Sequence, residues 1–272
     1  MRLPPAPYRT LMAGLLVAAA ALLAFAWLAQ EMLQGDTQQF DDHIRLLVHR
    51  HAGPALTAVM RGFSLIGSPA FLIACGALVV VRLVRTGNPR MALLFVITIL
   101  GAEVLDQVLK LVFHRTRPVA FFGLASPLGY SFPSGHALVS CSFYGVLAAF
   151  AAVRTESRAR RWLYRIAAAL LIAAIGLSRI YLGVHYLSDV LAGYAAAVVW
   201  VFSVASARPG RGGRRPISPC CSLKSESGGT VPCTPGANPG MCLPGQDRSL
   251  KTGLRAPHTS TGRASCVQAP GR

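Results

Sequence analysis

Residues Leu11 to Ala29 contain no charged side chain, and the same holds for Gly62 to Val81 and Val190 to Ala207. At 1.5 Å per residue, about 20 apolar residues in a helix cross the roughly 30 Å hydrocarbon core of a bilayer. Stretches of this length and purity predict transmembrane helices. The composition agrees, since 53% of the 272 residues are hydrophobic and 14% are charged, with a mean hydropathy of +0.48. An average soluble domain is about one-quarter charged.

Apolar runs of spanning length predict an all-α, polytopic protein with six transmembrane helices near 11–30, 66–84, 91–112, 134–153, 162–180 and 187–206. Arg2 and Arg9 precede the first run as they do in a signal peptide. At about 19 residues, however, the run exceeds the roughly 7–15 of a signal core, and more spans follow, so it is expected to be a retained helix. Between the first two spans, Asp36 to Arg61 is polar, with apolar residues at Ile44, Leu47, Val48 and Leu56. That pattern predicts an amphipathic segment at the membrane interface rather than a seventh span.

The formal net charge of +17 raises the question of nucleic acid, which the positions of the charges answer. Ten of the 27 basic residues follow Ala207, and most of the others flank apolar runs. Juxtamembrane arginines explain such a pattern, and nucleic acid is not an expected partner. One cluster, Arg82, Arg85 and Arg90, and another, Arg154, Arg158, Arg160, Arg161 and Arg165, fall on the same side as Arg2 and Arg9 in a six-span chain. The positive-inside rule then puts both termini in the cytoplasm and turns the loops at 31–65, 113–133 and 181–186 outward from the cytoplasmic (inner) membrane.

The final 65 residues hold 9 of the 18 prolines and 11 of the 26 glycines, without apolar periodicity. This composition predicts a membrane domain over 1–206 and a basic tail over 207–272 with no packed core. Five of the seven cysteines lie in that tail, and Cys75 and Cys141 sit in apolar segments. The odd count and irregular spacing support neither a disulfide framework nor a zinc site.

Ionisable residues in or at the ends of membrane helices are functional candidates, because placing them there is costly. Three clusters qualify: Lys110 to Arg117-Pro118 closing the third span, Pro133-Ser134-Gly135-His136 opening the fourth, and Ser178-Arg179 through His185 to Asp189 between the fifth and sixth. Six spans bring all three to one face of the membrane. Ser134 and Gly135 lie where a helix begins and its backbone N–H groups lack partners, which makes an anion site; a Ser N-cap beside an interfacial histidine fits the same residues. Lys110, Arg117 and Arg179 supply three cations for an anion. Lys110 also has the spacing to pair with Asp106, and Arg117 to snorkel from a helix end. His185 and Asp189 are four apart, so one helical turn sets the carboxylate beneath the imidazole, either as a structural hydrogen bond or to fix the tautomer of a nucleophile. Glu103 is expected to face the bundle as a structural partner.

Together, Lys-x6-Arg-Pro, Pro-Ser-Gly-His and Ser-Arg-x5-His-x3-Asp resemble the three-part signature of the type-2 phosphatidic acid phosphatase superfamily, which includes lipid phosphatases, undecaprenyl pyrophosphate phosphatases and vanadium haloperoxidases. The resemblance covers positions 110 to 189 closely and the tail not at all. It implies hydrolysis of a lipid phosphate monoester or pyrophosphate by a phosphohistidine route. His185 would attack phosphorus, Asp189 orient it, and His136 protonate the leaving alkoxide and then help activate water. Lys110, Arg117, Ser134, the Gly135 backbone and Arg179 would hold the phosphoryl oxygens. Neither cofactor nor metal is expected, because charge stabilisation and positioning suffice for phosphoryl transfer.

Two other functions use the same residues. A lipid phosphotransferase would resolve the phosphohistidine with an alcohol, and a lipid-binding or transport protein would use the cations without chemistry; the latter has no need of two histidines. Phe121, Phe122, Leu124, Tyr130 and Phe132 make the loop before Pro133 aromatic, suited to acyl or prenyl chains or to an interfacial belt. The partners expected are a membrane lipid phosphate and the bilayer.

Overall fold

The computed structural model describes residues 7–123 and 128–207, with side chains from Leu11 onward. The 207–272 tail beyond Ala207, Leu124 of the aromatic loop, Arg2 and the side chain of Arg9 lie outside the described residues.

Among the described residues every regular element is helical: α1 (Pro7–Gln34), α2 (Thr37–His49), α3 (Pro54–Ile66), α4 (Pro69–Arg85), α5 (Pro89–Phe113), α6 (Gly135–Val153), α7 (Arg158–Tyr181) and α8 (Leu187–Ser206). Five segments are long and apolar enough to cross a membrane: Leu11–Gln34, Pro89–Phe113, Gly135–Val153, Arg158–Tyr181 and Leu187–Ser206. The pair α3 and α4, bent by 50°, makes a sixth if it counts as one span. The expected boundaries hold to a few residues for these five.

The second expected span, 66–84, is reshaped. Its helix α4 has 17 residues, about 25 Å of rise, and it is preceded by α3 rather than by a loop. The break falls at Gly67-Ser68-Pro69, where Pro69 has no N–H to continue the hydrogen-bond ladder. Ser68 caps the restart by accepting from the Phe71 amide at 3.4 Å. On the other side of the break, the Tyr144 hydroxyl of α6 donates to the Ile66 carbonyl at 2.9 Å, so one carbonyl freed by the interruption is satisfied.

The expected interfacial segment, 36–61, becomes two helices, α2 and the first half of α3. In α2 the face turned toward the protein mixes polar residues with Val48, which packs against Val190 and Tyr181 and their neighbours. Asp41 is fully buried, Arg45 and His49 are half-buried, and Phe40 and Leu47 point outward. A helix period of 3.6 separates these faces.

The main core lies between α4, α5, α6 and α8, around Leu72, Phe95, Leu138, Phe143 and Ala197. Helix contacts are close where glycine meets a large ring or a backbone atom, as is usual for helices that associate without a hydrophobic drive between them. A Cβ on Gly101 would run into the ring of Trp200, whose indole N–H donates to the Thr98 carbonyl at 2.8 Å. A Cβ on Gly193 of α8 would come within 2.7 Å of the Ser134 carbonyl at the start of α6. The C-termini of α5 and α7 and the N-termini of α6 and α8 therefore gather at one end of the bundle. The alternation of the helices puts Arg82, Arg85, Arg90 and the 154–165 arginines at the other end.

Candidate active site

α5 stops where His114 takes a left-handed conformation, φ 49°, and its N–H closes on the Lys110 carbonyl at 3.1 Å. The chain then leaves the helix without regular structure, and Arg115 and Arg117, two residues apart, both turn toward the start of α8 and the residues before it. Both reach the turn between α7 and α8. Arg117 Nη1 lies 3.0 Å from His185 Nε2 and donates to the Val184 carbonyl at 3.2 Å. Arg115 Nη1 donates to Asp189 Oδ1 at 2.6 Å.

His185 is 2% exposed, and its Nδ1 stands 3.3 Å from Asp189 Oδ2. That oxygen also accepts the Tyr186 amide at 3.0 Å, which fixes the carboxylate at the first turn of α8. With Nδ1 facing a carboxylate and Nε2 facing a guanidinium, the imidazole has one arrangement that satisfies both: proton on Nδ1, lone pair on Nε2. Burial is the strongest influence on His185 and drives its pKa down; the Asp189 carboxylate pulls it up, Arg179 and Arg117 push it down again, and it settles at about 4. Neutral imidazole, the nucleophilic form, is therefore the resting state at physiological pH. Burial lowers Arg117 below the ordinary arginine value despite the Asp189 and Asp106 carboxylates.

At the mouth of α6, the Ser134 amide donates to the Asp189 carbonyl at 2.9 Å, tying this helix start to the first turn of α8. The Ser134 side chain makes no capping bond, and its hydroxyl is buried without a hydrogen-bond partner among the described residues. The capping role that the sequence also allowed is therefore not the one it plays here. Arg179 Nε is likewise buried and unpartnered, while its Nη1 donates to Ser64 Oγ of α3 at 2.5 Å. Buried unpartnered donors each cost about 1–3 kcal/mol, and functional sites are where such atoms concentrate. His136, the second residue of α6, stands near Arg179, Lys110, Arg117 and the imidazole of His185.

Gly135 and Lys110 differ in detail from expectation. A Cβ on Gly135 would stand 2.6 Å from Asp106 Oδ2, so on that side the close approach that glycine permits is made by a carboxylate of α5. Lys110 Nζ pairs with the same oxygen at 2.5 Å, the i, i+4 partner that its spacing allowed. An anion beside a helix N-terminus is electrostatically favoured, and Asp106 supplies one.

The aromatic loop divides. Phe132 is fully buried against Phe25 and Phe113, which removes it from the expected lipid-facing set. Phe121 stacks on His49 at 3.8 Å between ring centres, and Phe122 stacks on Tyr181 at 5.5 Å. Phe122 also borders an open, mainly apolar cavity of about 650 Å³ whose other walls are Ala52, Gly53, Pro54, Thr57, Ala58 and Arg61.

Sequence reasoning missed three residues here. Asp41 of α2 accepts from Arg115 Nη2 at 2.8 Å, Arg115 bridges it to Asp189, and Ser64 holds Arg179. Arg115 lies two positions before Arg117, and that proximity to the motif is its one signal in the sequence. Asp41 and Ser64 carry no comparable signal, because their partners are more than 70 residues away.

Known proteins resemble the chain over its helical region. A model of the PAP2 superfamily matches residues 91–212. Phosphatidylglycerophosphatase B of Bacillus subtilis is 29% identical over 184 residues, which is 67% of this chain and 90% of that protein. An undecaprenyl-diphosphatase of Sulfolobus acidocaldarius is 33% identical over 110 residues, 39% of this chain and 49% of that one. The crystal structure of a transmembrane PAP2 type phosphatidylglycerolphosphate phosphatase from Bacillus subtilis aligns with a TM-score of 0.64 at 28% identity, covering 70% of this chain and 94% of that chain. The motifs, the helix-end assembly that unites them and these likenesses converge: residues 91–212 match the PAP2 superfamily, and the chain is similar to membrane lipid phosphatases of that family.

Proposed function

We propose that this protein removes phosphate from a lipid phosphate monoester or pyrophosphate through a phosphohistidine at His185, with phosphatidylglycerol phosphate the first substrate to test and undecaprenyl pyrophosphate the second. The observation that carries the reading is the line Arg117–His185–Asp189. It presents Nε2 of a neutral imidazole beside a cation that can pass to a phosphoryl oxygen. The names of the relatives supply the order of substrates.

In the first step His185 Nε2 forms a bond to phosphorus as the bond from phosphorus to the lipid oxygen breaks. His136 delivers a proton to that oxygen. In the second step a water attacks phosphorus, His136 takes a proton from it, and the P–N bond breaks to release inorganic phosphate. Arg117, Arg179 and Lys110 balance the charge of the phosphoryl oxygens, with the Ser134 hydroxyl and the Gly135 amide donating to them. Lys110 leaves Asp106, in whole or in part, to do so.

The site faces the outer side of the cytoplasmic membrane, with both termini inside. The basic clusters at the far end of the bundle support this orientation. The tail beyond residue 206 takes no part in turnover.

Purified protein is to be given phosphatidylglycerol phosphate, undecaprenyl pyrophosphate, phosphatidic acid and diacylglycerol pyrophosphate in EDTA, with and without an acceptor alcohol. Inorganic phosphate released equally in both conditions supports a hydrolase. A phosphorylated alcohol replacing free phosphate would make the protein a phosphotransferase, and no product from any lipid would defeat the reading.

A further inference from the structure

We propose that Asp41 and Arg115 form a clamp that positions the Asp189 carboxylate, and through it His185, so that α2 serves turnover without touching substrate. The inference rests on the phosphohistidine reading given above.

The two terminal nitrogens of Arg115 each take one carboxylate. Nη1 donates to Asp189 Oδ1 at 2.6 Å and Nη2 to Asp41 Oδ2 at 2.8 Å. A guanidinium is planar and rigid, so these bonds fix the two carboxylates relative to each other. Ser188 closes the arrangement: its amide donates to Asp41 Oδ1 at 3.0 Å, its hydroxyl donates to Asp41 Oδ2, and the same hydroxyl accepts from Arg115 Nη1 at 2.7 Å. The Tyr186 ring covers the guanidinium, 4.2 Å from Cζ. Asp41 and Asp189 are fully buried, and Arg115 is 9% exposed. Burial opposes the charge on Arg115, and the carboxylates of Asp189 and Asp41 outweigh it, so its pKa stands above the ordinary arginine value.

This geometry divides the oxygens of Asp189 by task. Oδ2 meets His185 and the Tyr186 amide, and Oδ1 meets Arg115. With Arg115 gone, Oδ1 is a buried anionic oxygen without its cation, free to turn toward any remaining donor and to carry Oδ2 away from the imidazole. Asp41 keeps Arg115 from swinging out. It also joins the clamp to the start of α8, because both of its bonds to Ser188 lie one residue before Asp189. α2 therefore acts on the nucleophile at two removes.

The test uses the full-length protein in mixed micelles with phosphatidylglycerol phosphate and, in parallel, phosphatidic acid, measuring kcat, KM and the pH dependence of kcat/KM. The charges facing His185 are Asp189 from α8, Arg179 from α7 and Arg117 from the 114–120 segment, with His136 of α6 nearby. Arg115→Gln lets Asp189 Oδ2 leave the imidazole and so weakens the carboxylate's upward pull on His185, and the acidic limb of the profile moves to lower pH while kcat falls at least tenfold, with KM within threefold. Arg115→Lys keeps the charge and loses the fork, so kcat falls while the limb stays in place. Asp41→Asn lowers kcat, and adding it to Arg115→Gln costs less than a further threefold, because the two residues act in series.

If Arg115→Gln fails to fold, Asp41→Asn and Arg115→Lys carry the comparison. Folded Asp41→Asn and Arg115→Lys proteins that both keep kcat within twofold of wild type overturn the clamp and leave the phosphatase reading intact. So does a double variant whose losses multiply fully. A wild-type protein that releases no phosphate from either lipid overturns both.

Discussion

Arg117 Nη1 and His185 Nε2 are 3.0 Å apart, on the side of the imidazole opposite Asp189. A guanidinium in that place helps keep the ring neutral and stands where an incoming phosphoryl oxygen needs a cation. His185 is held at about 4, against an ordinary value near 6.5, with burial the first cause. A depressed value means that the unprotonated nucleophile persists as pH falls until that lower value is reached. The acidic limb of kcat/KM, corrected for the substrate's own ionisation, is therefore expected near pH 4, with a plateau between pH 5 and 7. A limb near 6.5 would show His185 titrating like a solvent-exposed histidine.

His136 sits at the start of α6 among the same cations. In its proposed role as proton donor it matters in proportion to the basicity of the leaving oxygen. His136→Ala is expected to slow a lipid phosphate about 10²–10⁴-fold, and p-nitrophenyl phosphate, whose leaving group needs no proton, by less than tenfold. Equal losses on the two substrates would move His136 out of the acid role.

Gly193 is the point where α8 touches the backbone at the start of α6. A methyl group there meets the Ser134 carbonyl at 2.7 Å and the Ala137 methyl at 2.9 Å, and neither can rotate away. Gly193→Ala is expected to cost about 1–3 kcal/mol of stability through overpacking and to lower kcat by displacing Ser134 and Gly135. Thermal unfolding in detergent and turnover would be measured together. Unchanged values for both would mean that α8 yields without disturbing the site.

The residues proposed for the site stood out in the sequence because each lies at a helix end within a few residues of apolar runs that are plain to see. Lys110, Arg117, Ser134, Gly135, His136, Arg179, His185 and Asp189 come together once those ends meet. The roles of α2 and α3 were not legible. The segment 36–61 read as an amphipathic interfacial stretch, and local periodicity separates its polar and apolar residues without saying that Asp41 packs inward. The bend at Gly67-Ser68-Pro69 was hidden by hydropathy, which continues through it. Phe132 read as a lipid contact because its burial depends on Phe25 of α1, more than 100 residues away.

Leu128, 98% exposed beside the site, is suited to a topology test. In a background without the native cysteines, Leu128→Cys is expected to react with a membrane-impermeant thiol reagent on intact cells. Reaction only after the membrane is opened would place the site on the cytoplasmic side and the substrate in the inner leaflet.

The covalent intermediate is the centre of the account, and it can be trapped. Protein mixed with lipid substrate labelled with ³²P in the terminal phosphate and quenched in alkali within milliseconds to seconds should carry label that is stable to base and lost in acid, as a phosphoramidate bond is. The label should map to the peptide containing His185 and be absent from His185→Ala, which should also retain less than a few per cent of wild-type phosphate release while folding and inserting normally. Full turnover by His185→Ala, or label that remains on the protein without His185, would contradict the mechanism.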